Sequence, residues 1–359
     1  MKKIVLTGGG TAGHVTPNMA LIEKLREMNY DITYIGSLDG IEKGLIEGMK
    51  VPYYGISSGK LRRYFSWQNF TDPFRVIKGY FQAKKLLKEL EPDVVFSKGG
   101  FVAVPVVYAA KKRGIPTVIH ESDMTPGLAN KLCIKKAAKI CCNFEETLAD
   151  LPAGKAVHTG TPLRKELFTG DREKGLEING FSNGMPVLMV VGGSTGAQRV
   201  NEAVRKVMPK LLESFQVIHI CGKGKTDPAF DHIKGLRQYE YVSDDLKDMF
   251  AAADIVISRA GANSVSELLA LKKPNILIPL SIGSRGDQVL NAEAFEKCGY
   301  SYLLREENLN EENLLKAVDA VNNDREKYIN AMSTAAERDA TEMITEMLDE
   351  LATGKGRDD

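Results

Sequence analysis

Two short β-branched runs, Ile4 to Thr7 and Pro186 to Val191, are each followed at once by clustered glycines and then by a helical pattern. Leu6-Thr7-Gly8-Gly9-Gly10-Thr11-Ala12-Gly13 lines up with Val190-Val191-Gly192-Gly193-Ser194-Thr195-Gly196-Ala197 at a constant offset. Strand, glycine turn and helix open a doubly wound α/β unit, and a chain that begins this way twice is constrained to two such units. The remaining β-branched runs fit that frame. In the first half they are Ile32 to Ile35, Pro52 to Ile56, Val94 to Ser97, Thr117 to His120, Lys139 to Cys142 and Ala156 to Thr159. In the second they are Gln216 to Cys221, Tyr239 to Val242, Ile255 to Ser258, Asn275 to Pro279 and Tyr300 to Leu303. Alternation with helical patterns predicts parallel sheets covered on both faces.

A length of 359 residues exceeds what one core organises. The stretch 161–184, rich in Gly, Asn, Ser and charge, reads as a linker between an N-terminal domain, 1–160, and a C-terminal domain, 185–340. The acidic helical sequence after Asn310 is expected to close the second domain, with 341–359 as a final helix and frayed tail.

Net charge is +1, which argues against a general nucleic-acid binder. It conceals a polarity: residues 1–160 sum to +8 and the rest to −7. Five scattered cysteines lack zinc or disulfide spacing and fit a reducing compartment. The opening apolar run stops at Thr7 and Gly8, too short for a signal peptide, and the stretch from Phe101 to Ala110 is too short to span a bilayer.

A glycine turn between strand and helix lets backbone N–H groups approach an anionic diphosphate. Neither turn fits a dinucleotide fingerprint, because Tyr34, Ile35 and Gly36 stand where an acid is expected, and neither carries a P-loop lysine. His14 follows the first turn at a helix start marked by Thr16 and Pro17, placed to act as a general base toward a hydroxyl; a local turn hydrogen bond is the simpler alternative. His120 at a strand end is the other histidine of interest, and His158, His219 and His232 read as structural. Arg259-Ala260-Gly261-Ala262-Asn263 opens a helix in which Glu267 can accept two hydrogen bonds from ribose hydroxyls, or merely complement the dipole. Asp287 and Gln288 open another helix and can read sugar hydroxyls. No Asp-x-Asp or metal-ligand cluster occurs, so the reading is metal-independent and without a cofactor. Residues 60–90 carry eight basic and two acidic side chains among aromatics, with Trp67, Phe70, Phe74, Arg75, Lys78 and Phe81 suited to an anionic membrane surface. An ordinary solvated helix is the alternative there.

These residues together resemble the MurG family of peripheral membrane glycosyltransferases. The resemblance rests on Gly8 to Pro17, Lys98-Gly99-Gly100-Phe101, His120-Glu121, Gly127 to Lys131, Gly160 to Arg164, Gly192 to Asn201, Arg259 to Glu267, and Asp287-Gln288 with Asn291-Ala292. It implies a GT-B fold, two Rossmann-like domains with parallel sheets facing across a cleft. It implies inverting transfer of N-acetylglucosamine from UDP-N-acetylglucosamine to the muramoyl 4-hydroxyl of lipid I, undecaprenyl-pyrophosphoryl-muramoyl-pentapeptide, giving lipid II. Implied donor contacts are Thr11, Gly13, Arg164, Ser194, Arg259, Ala262, Asn263, Glu267, Asp287 and Gln288, with Thr11 also near the acceptor. Implied acceptor contacts are Gly10, Phe101, Glu121 and Asn130, with His14 as base. The implied setting is the cytoplasmic face of the cell membrane, with other cell-wall synthesis proteins as neighbours. The chain departs from the usual pattern at Phe101, where tyrosine is common, and at Ser122-Asp123.

Three other readings use the same loops: a glycosyltransferase acting on diacylglycerol, a UDP-N-acetylglucosamine 2-epimerase, and a non-catalytic UDP-sugar-binding subunit. Turnover with diacylglycerol alone, epimerisation without lipid, or donor binding without transfer distinguishes them.

Overall fold

The computed structural model describes residues 1–59, 68–193, 196–281, 286–335 and 339–354, with the backbone alone from 68 to 71. It forms two compact units, Met1–Arg164 with Arg338–Asp359, and Lys165–Glu337. The first holds a seven-stranded sheet of β1 (Lys3–Thr7), β2 (Asp31–Ser37), β3 (Tyr53–Ile56), β4 (Val94–Ser97), β5 (Thr117–Glu121), β6 (Lys139–Cys142) and β7 (Ala156–His158), in the order β3-β2-β1-β4-β5-β6-β7. The second holds β8 (Val187–Val191), β9 (Gln216–Ile220), β10 (Leu236–Tyr239), β11 (Ile255–Ser258), β12 (Asn275–Leu277) and β13 (Tyr302–Leu303), in the order β10-β9-β8-β11-β12-β13. Neighbouring strands are parallel throughout, as in β1 with β2 and β4, and β8 with β9 and β11. In each sheet the order reverses at the first strand, so the connections leaving β1 and β4, and those leaving β8 and β11, diverge at the carboxyl ends and leave a crevice.

Helices of the first unit are α1 (Thr16–Glu27), α2 (Ile41–Gly48), α3 (Gln68–Leu90), α4 (Ala103–Lys112) and α5 (Leu128–Cys133). Those that follow are α6 (Arg172–Asn179), α7 (Gln198–Leu211), α8 (Leu246–Ala252), α9 (Ala262–Ala270), α10 (Asp287–Lys297), α11 (Glu311–Asn323), α12 (Arg325–Ser333) and α13 (Ala340–Ala352). Period-two alternation sends Ile4 and Leu6 of β1 to one face, against Leu21, Ile22 and Leu25 of α1, while Val5 faces Ala83 and Leu87 of α3 and Val106 of α4. In the second unit Leu188 and Val190 of β8 pack on Val200, Val204 and Leu211 of α7 and on Leu314 and Val318 of α11.

Three expectations need correction. The tenth strand lies at Leu236–Tyr239, not Tyr239 to Val242; it is a sheet edge, and its Arg237 and Gln238 weaken the apolar signal. The stretch 161–184 contains α6, packed on α8 so closely that a Cβ at Gly175 would stand 2.1 Å from the Asp248 carbonyl oxygen. Glycine, not an apolar stripe, makes that contact.

The third concerns the chain's end. Helices α11 and α12 do belong to the second unit, but α13 returns to the first, where Ile344, Leu348 and Leu351 enter the core beside α1. Asp349 accepts from Lys2 Nζ at 2.5 Å and the Tyr30 hydroxyl at 2.8 Å, and Glu342 pairs with Lys24 at 2.6 Å. Leu348 is fully buried, so Leu348→Ala is expected to lower the unfolding free energy of the first unit by roughly 2–5 kcal/mol, read from denaturant titration.

Candidate active site

The turn after β1 is shaped from inside. Glu42, in the first turn of α2, is fully buried, and its carboxylate accepts from Gly10 N at 3.2 Å, Ser37 N at 2.9 Å and the Ser37 hydroxyl. A Cβ at Gly9 would strike Glu42 Oε1 at 2.4 Å, and a Cβ at Gly100, whose φ is +84°, would strike the Gly9 carbonyl oxygen at 2.3 Å. The turns after β1 and β4 therefore touch through glycine backbone at the crevice. The carboxylate missing from the end of β2 is thus supplied from α2, and it serves the turn itself.

Beyond Gly10, whose φ of +89° turns the chain outward, Thr11 and Gly13 are exposed and His14 is half-buried. His14 Nδ1 lies 3.0 Å from Thr11 Oγ1. With Nδ1–H donated to that hydroxyl, Nε2 carries the lone pair a base requires. Pro17 stands in the first turn of α1, as the helix-start reading expects. Phe101 follows Gly100 half-buried.

Deeper in the first unit, Lys98 is buried at the end of β4, its ammonium 2.6 Å from His120 Nδ1 and 2.6 Å from Ser122 Oγ. His120 Nε2 lies 2.8 Å from the Gly160 carbonyl, which makes Nε2 the protonated nitrogen and Nδ1 the acceptor. Burial pushes Lys98 down to about 7, and burial with the neighbouring Lys98 charge holds His120 well below its ordinary value. His120 is a neutral internal brace rather than a site residue.

Glu121 and Asn130, expected around the acceptor, are also turned inward. The Glu121 carboxylate accepts from Ser122 N, Asp123 N, Gly127 N and Asn130 Nδ2 at 2.8–3.1 Å, and Asn130 Nδ2 also reaches the His120 carbonyl at 3.0 Å. Both are buried and shape the loop from Ser122 to Gly127. Of the implied acceptor contacts that leaves Gly10 and Thr11, both exposed, and the half-buried Phe101.

In the second unit Arg259, Ala262 and Asn263 follow β11, and Glu267 lies half-buried within α9. Arg259 does not face outward as a diphosphate ligand would: it is 9% exposed, its Nη1 donates to the Ile278 carbonyl at 2.9 Å and its Nη2 to Glu306. Asp287 is the first residue of α10, and Gln288 Oε1 accepts from Leu280 N at 3.0 Å, so its amide nitrogen is the group that can face a hydroxyl. Asn291 Nδ2 holds the Ala260 carbonyl at 3.0 Å, joining α10 to the turn before α9. Arg164 closes the first segment of the first unit, half-buried, its Nε without a hydrogen-bond partner among the described residues. Ser194 lies outside the described residues. Among the described residues no group of three or more His, Cys, Asp or Glu side chains can hold a metal ion.

On α3, Ala83 and Leu87 face the core, while Phe74, Ile77 and Phe81 are 74%, 54% and 61% exposed, beside exposed Arg75, Lys78, Lys84 and Lys85. Trp67 and the Phe70 side chain lie outside the described residues. Further exposed apolar groups that no sequence pattern marks lie on the same layer, Leu128 and Leu132 of α5 and Tyr108 of α4, with Lys136 Nζ 5.4 Å from the Tyr108 ring centre. No helix of the described residues is long and apolar enough to cross a membrane.

The Lys98 cluster has a pH signature. Between about 7 and the ordinary lysine value of 10.5 the unfolded chain holds a proton that the native protein lacks, so this group makes native stability rise with pH across that window. Lys98→Met is expected to remove up to about 1.4 kcal/mol per pH unit from the slope of unfolding free energy between pH 7 and 9.5, read as the difference between wild type and variant.

Comparison with known proteins places both units. Residues 4–142 match the glycosyltransferase family 28 N-terminal domain, and residues 187–347 match the glycosyltransferase family 28 C-terminal domain. A protein of Lachnoclostridium phytofermentans called UDP-N-acetylglucosamine–N-acetylmuramyl-(pentapeptide) pyrophosphoryl-undecaprenol N-acetylglucosamine transferase is 64% identical over 98% of this chain and 99% of its own length. A protein of the same name from Lachnospira eligens is 59% identical over 97% of this chain and 99% of its own. The crystal structure of Acinetobacter baumannii MurG, 24% identical, superimposes with a TM-score of 0.77 over 98% of this chain and all of that one, which shows the GT-B fold. With both domain models matched and nearly its whole length aligned at 64% identity, the chain belongs to glycosyltransferase family 28, within the MurG family.

Proposed function

We propose that this chain transfers N-acetylglucosamine from UDP-N-acetylglucosamine to the muramoyl 4-hydroxyl of lipid I, forming lipid II. The observation that carries this is the 64% identity, over 98% of the chain, to a relative whose name states that transfer. The donor belongs to the second unit, at the carboxyl ends of β8, β11 and β12. There Glu267 takes the ribose hydroxyls, the turn at Ala262 and Asn263 the sugar and phosphate end, and Asp287 with the Gln288 amide the N-acetylglucosamine hydroxyls. The family resemblance further implies Arg164, Ser194, Thr11 and Gly13 as donor contacts. The acceptor belongs to the first unit, against Gly10, Thr11 and Phe101.

The chemistry is one in-line displacement. The acceptor 4-oxygen attacks the anomeric carbon and its proton passes to His14 Nε2. The bond to the β-phosphate oxygen breaks on the opposite face, and the electron pair leaves with UDP. Thr11 orients the imidazole through Nδ1 at 3.0 Å. The leaving diphosphate is met by backbone N–H groups and helix ends.

The exposed Phe74, Ile77 and Phe81, ringed by Arg75, Lys78, Lys84 and Lys85, support a peripheral seat on an anionic membrane at its cytoplasmic face, where the lipid-linked acceptor is held. Rings insert at headgroup depth and cations meet lipid phosphates.

UDP release from UDP-N-acetylglucosamine should require lipid I; release with diacylglycerol instead would overturn the assignment. His14→Ala is expected to lower kcat by about 10²–10⁴-fold with UDP affinity unchanged. Full activity in that variant removes His14 as base. Replacing Phe74 and Phe81 together by serine should weaken binding to phosphatidylglycerol vesicles by about tenfold or more while leaving turnover of a detergent-dispersed acceptor intact. Unchanged vesicle binding would move the membrane seat elsewhere.

A further inference from the structure

Glu306 has no role so far, yet it is 1% exposed in the short 3-10 turn Glu306–Asn308 that follows β13. Its carboxylate gathers three connections of the second unit. Oε1 accepts from Nη2 of Arg259, the first residue after β11. Oε2 lies 3.5 Å from Arg199 Nη1 and 3.5 Å from the Ser281 hydroxyl, and the Glu306 carbonyl accepts from Arg199 Nη2 at 3.2 Å. Arg199 is the second residue of α7, directly after the second glycine turn, and Ser281 lies on the path from β12 toward α10.

The three partners therefore leave β8, β11 and β12 at their carboxyl ends, where a doubly wound sheet binds its nucleotide. Among the described residues two guanidiniums face this one carboxylate, one positive charge more than it balances. Arg259 is buried and held on both sides, by Glu306 and by the Ile278 carbonyl, whereas the Arg199 side chain is 53% exposed. A buried guanidinium is tolerated only with its counter-charge in place, so Glu306 fixes Arg259 and draws Arg199 back to the root of the glycine turn.

We propose that Glu306 is the positioning residue of the donor diphosphate: it locks the turn before α9 through Arg259 and aims the outer cation, Arg199, at the phosphates. This rests on the donor reading of the second unit. Glu306 acts through its partners and touches no reacting atom.

Glu306→Gln preserves shape and removes the charge; Arg199→Gln removes the outer cation from a half-exposed position that the fold does not require. Calorimetry with UDP and with uridine, together with KM for each substrate, tests the assignment in the full-length protein. Both variants are expected to raise the Kd for UDP and the KM for UDP-N-acetylglucosamine about tenfold or more, the scale of a lost charge-assisted contact, with uridine affinity and acceptor KM within about twofold. A merely structural ion pair would instead lower melting temperature and kcat, through the folded fraction, with the UDP Kd unchanged; that result overturns the proposal. If Glu306→Gln fails to fold, unchanged UDP affinity in Arg199→Gln overturns it alone. Wild-type protein that binds no UDP overturns the donor reading itself, an outcome visible before any variant is made.

Discussion

The first glycine turn keeps its shape because a carboxylate sits beneath it, where solvent cannot reach. Glu42 is tolerated there because Gly10 N, Ser37 N and the Ser37 hydroxyl all donate to it and because it stands in the first turn of α2, where the helix dipole favours negative charge. Thr11, Gly13 and His14 inherit their placement from that anchor. In a dinucleotide fold an acid at the end of the second strand reads a ribose. Here the acid is consumed inside the protein, by backbone N–H groups and the Ser37 hydroxyl, and none of its bonds is left to read a ribose in that way.

The two units tie their glycine turns by related means. Asn18 of α1 donates to the Thr7 carbonyl and to the Tyr34 hydroxyl, which in turn donates to the Gly8 carbonyl at 2.8 Å. Asn201 of α7 donates to the Cys221 carbonyl at 2.9 Å and accepts from His219 Nε2 at 3.0 Å. In both, a buried asparagine on the helix that follows the unit's first strand stitches strand ends together, its partner on the second strand being tyrosine in one unit and histidine in the other. Burial pushes the His219 imidazole down to about 4, so this stitch stays neutral. The Asn201 amide, donating on one side and accepting on the other, restricts its turn without spending charge.

Strand identity was legible wherever both faces of a strand are buried, because such strands read as continuous β-branched runs; Val94–Ser97 and Ile255–Ser258 match residue for residue. The edge strand β10, with its polar residues, did not give that signal. The direction of a side chain was illegible. Glu121, Asn130 and Arg259 have the chemistry of ligand-binding groups, and that same chemistry satisfies backbone donors and internal charges. Only packing decides which. Glu42 and Glu306 went unseen for the converse reason: acids in first turns look like solvated dipole partners unless the fold buries them. The exposed apolar line on α3 was legible in part, since aromatics among lysines stand out, whereas its neighbours on α4 and α5 share no single helical period with it.

The return of α13 to the first unit brings segments from either side of the second unit into one core, Lys2 against Asp349. Synthesis runs from one to the other, and domains ordinarily fold as they emerge. In this chain the unit that emerges first is the one that finishes last. Until Ile344, Leu348 and Leu351 have left the ribosome, the face of the sheet covered by α1 keeps an open apolar strip. A fragment ending at the second unit would thus carry its defect at the opposite end of the sequence, in the half that was made first.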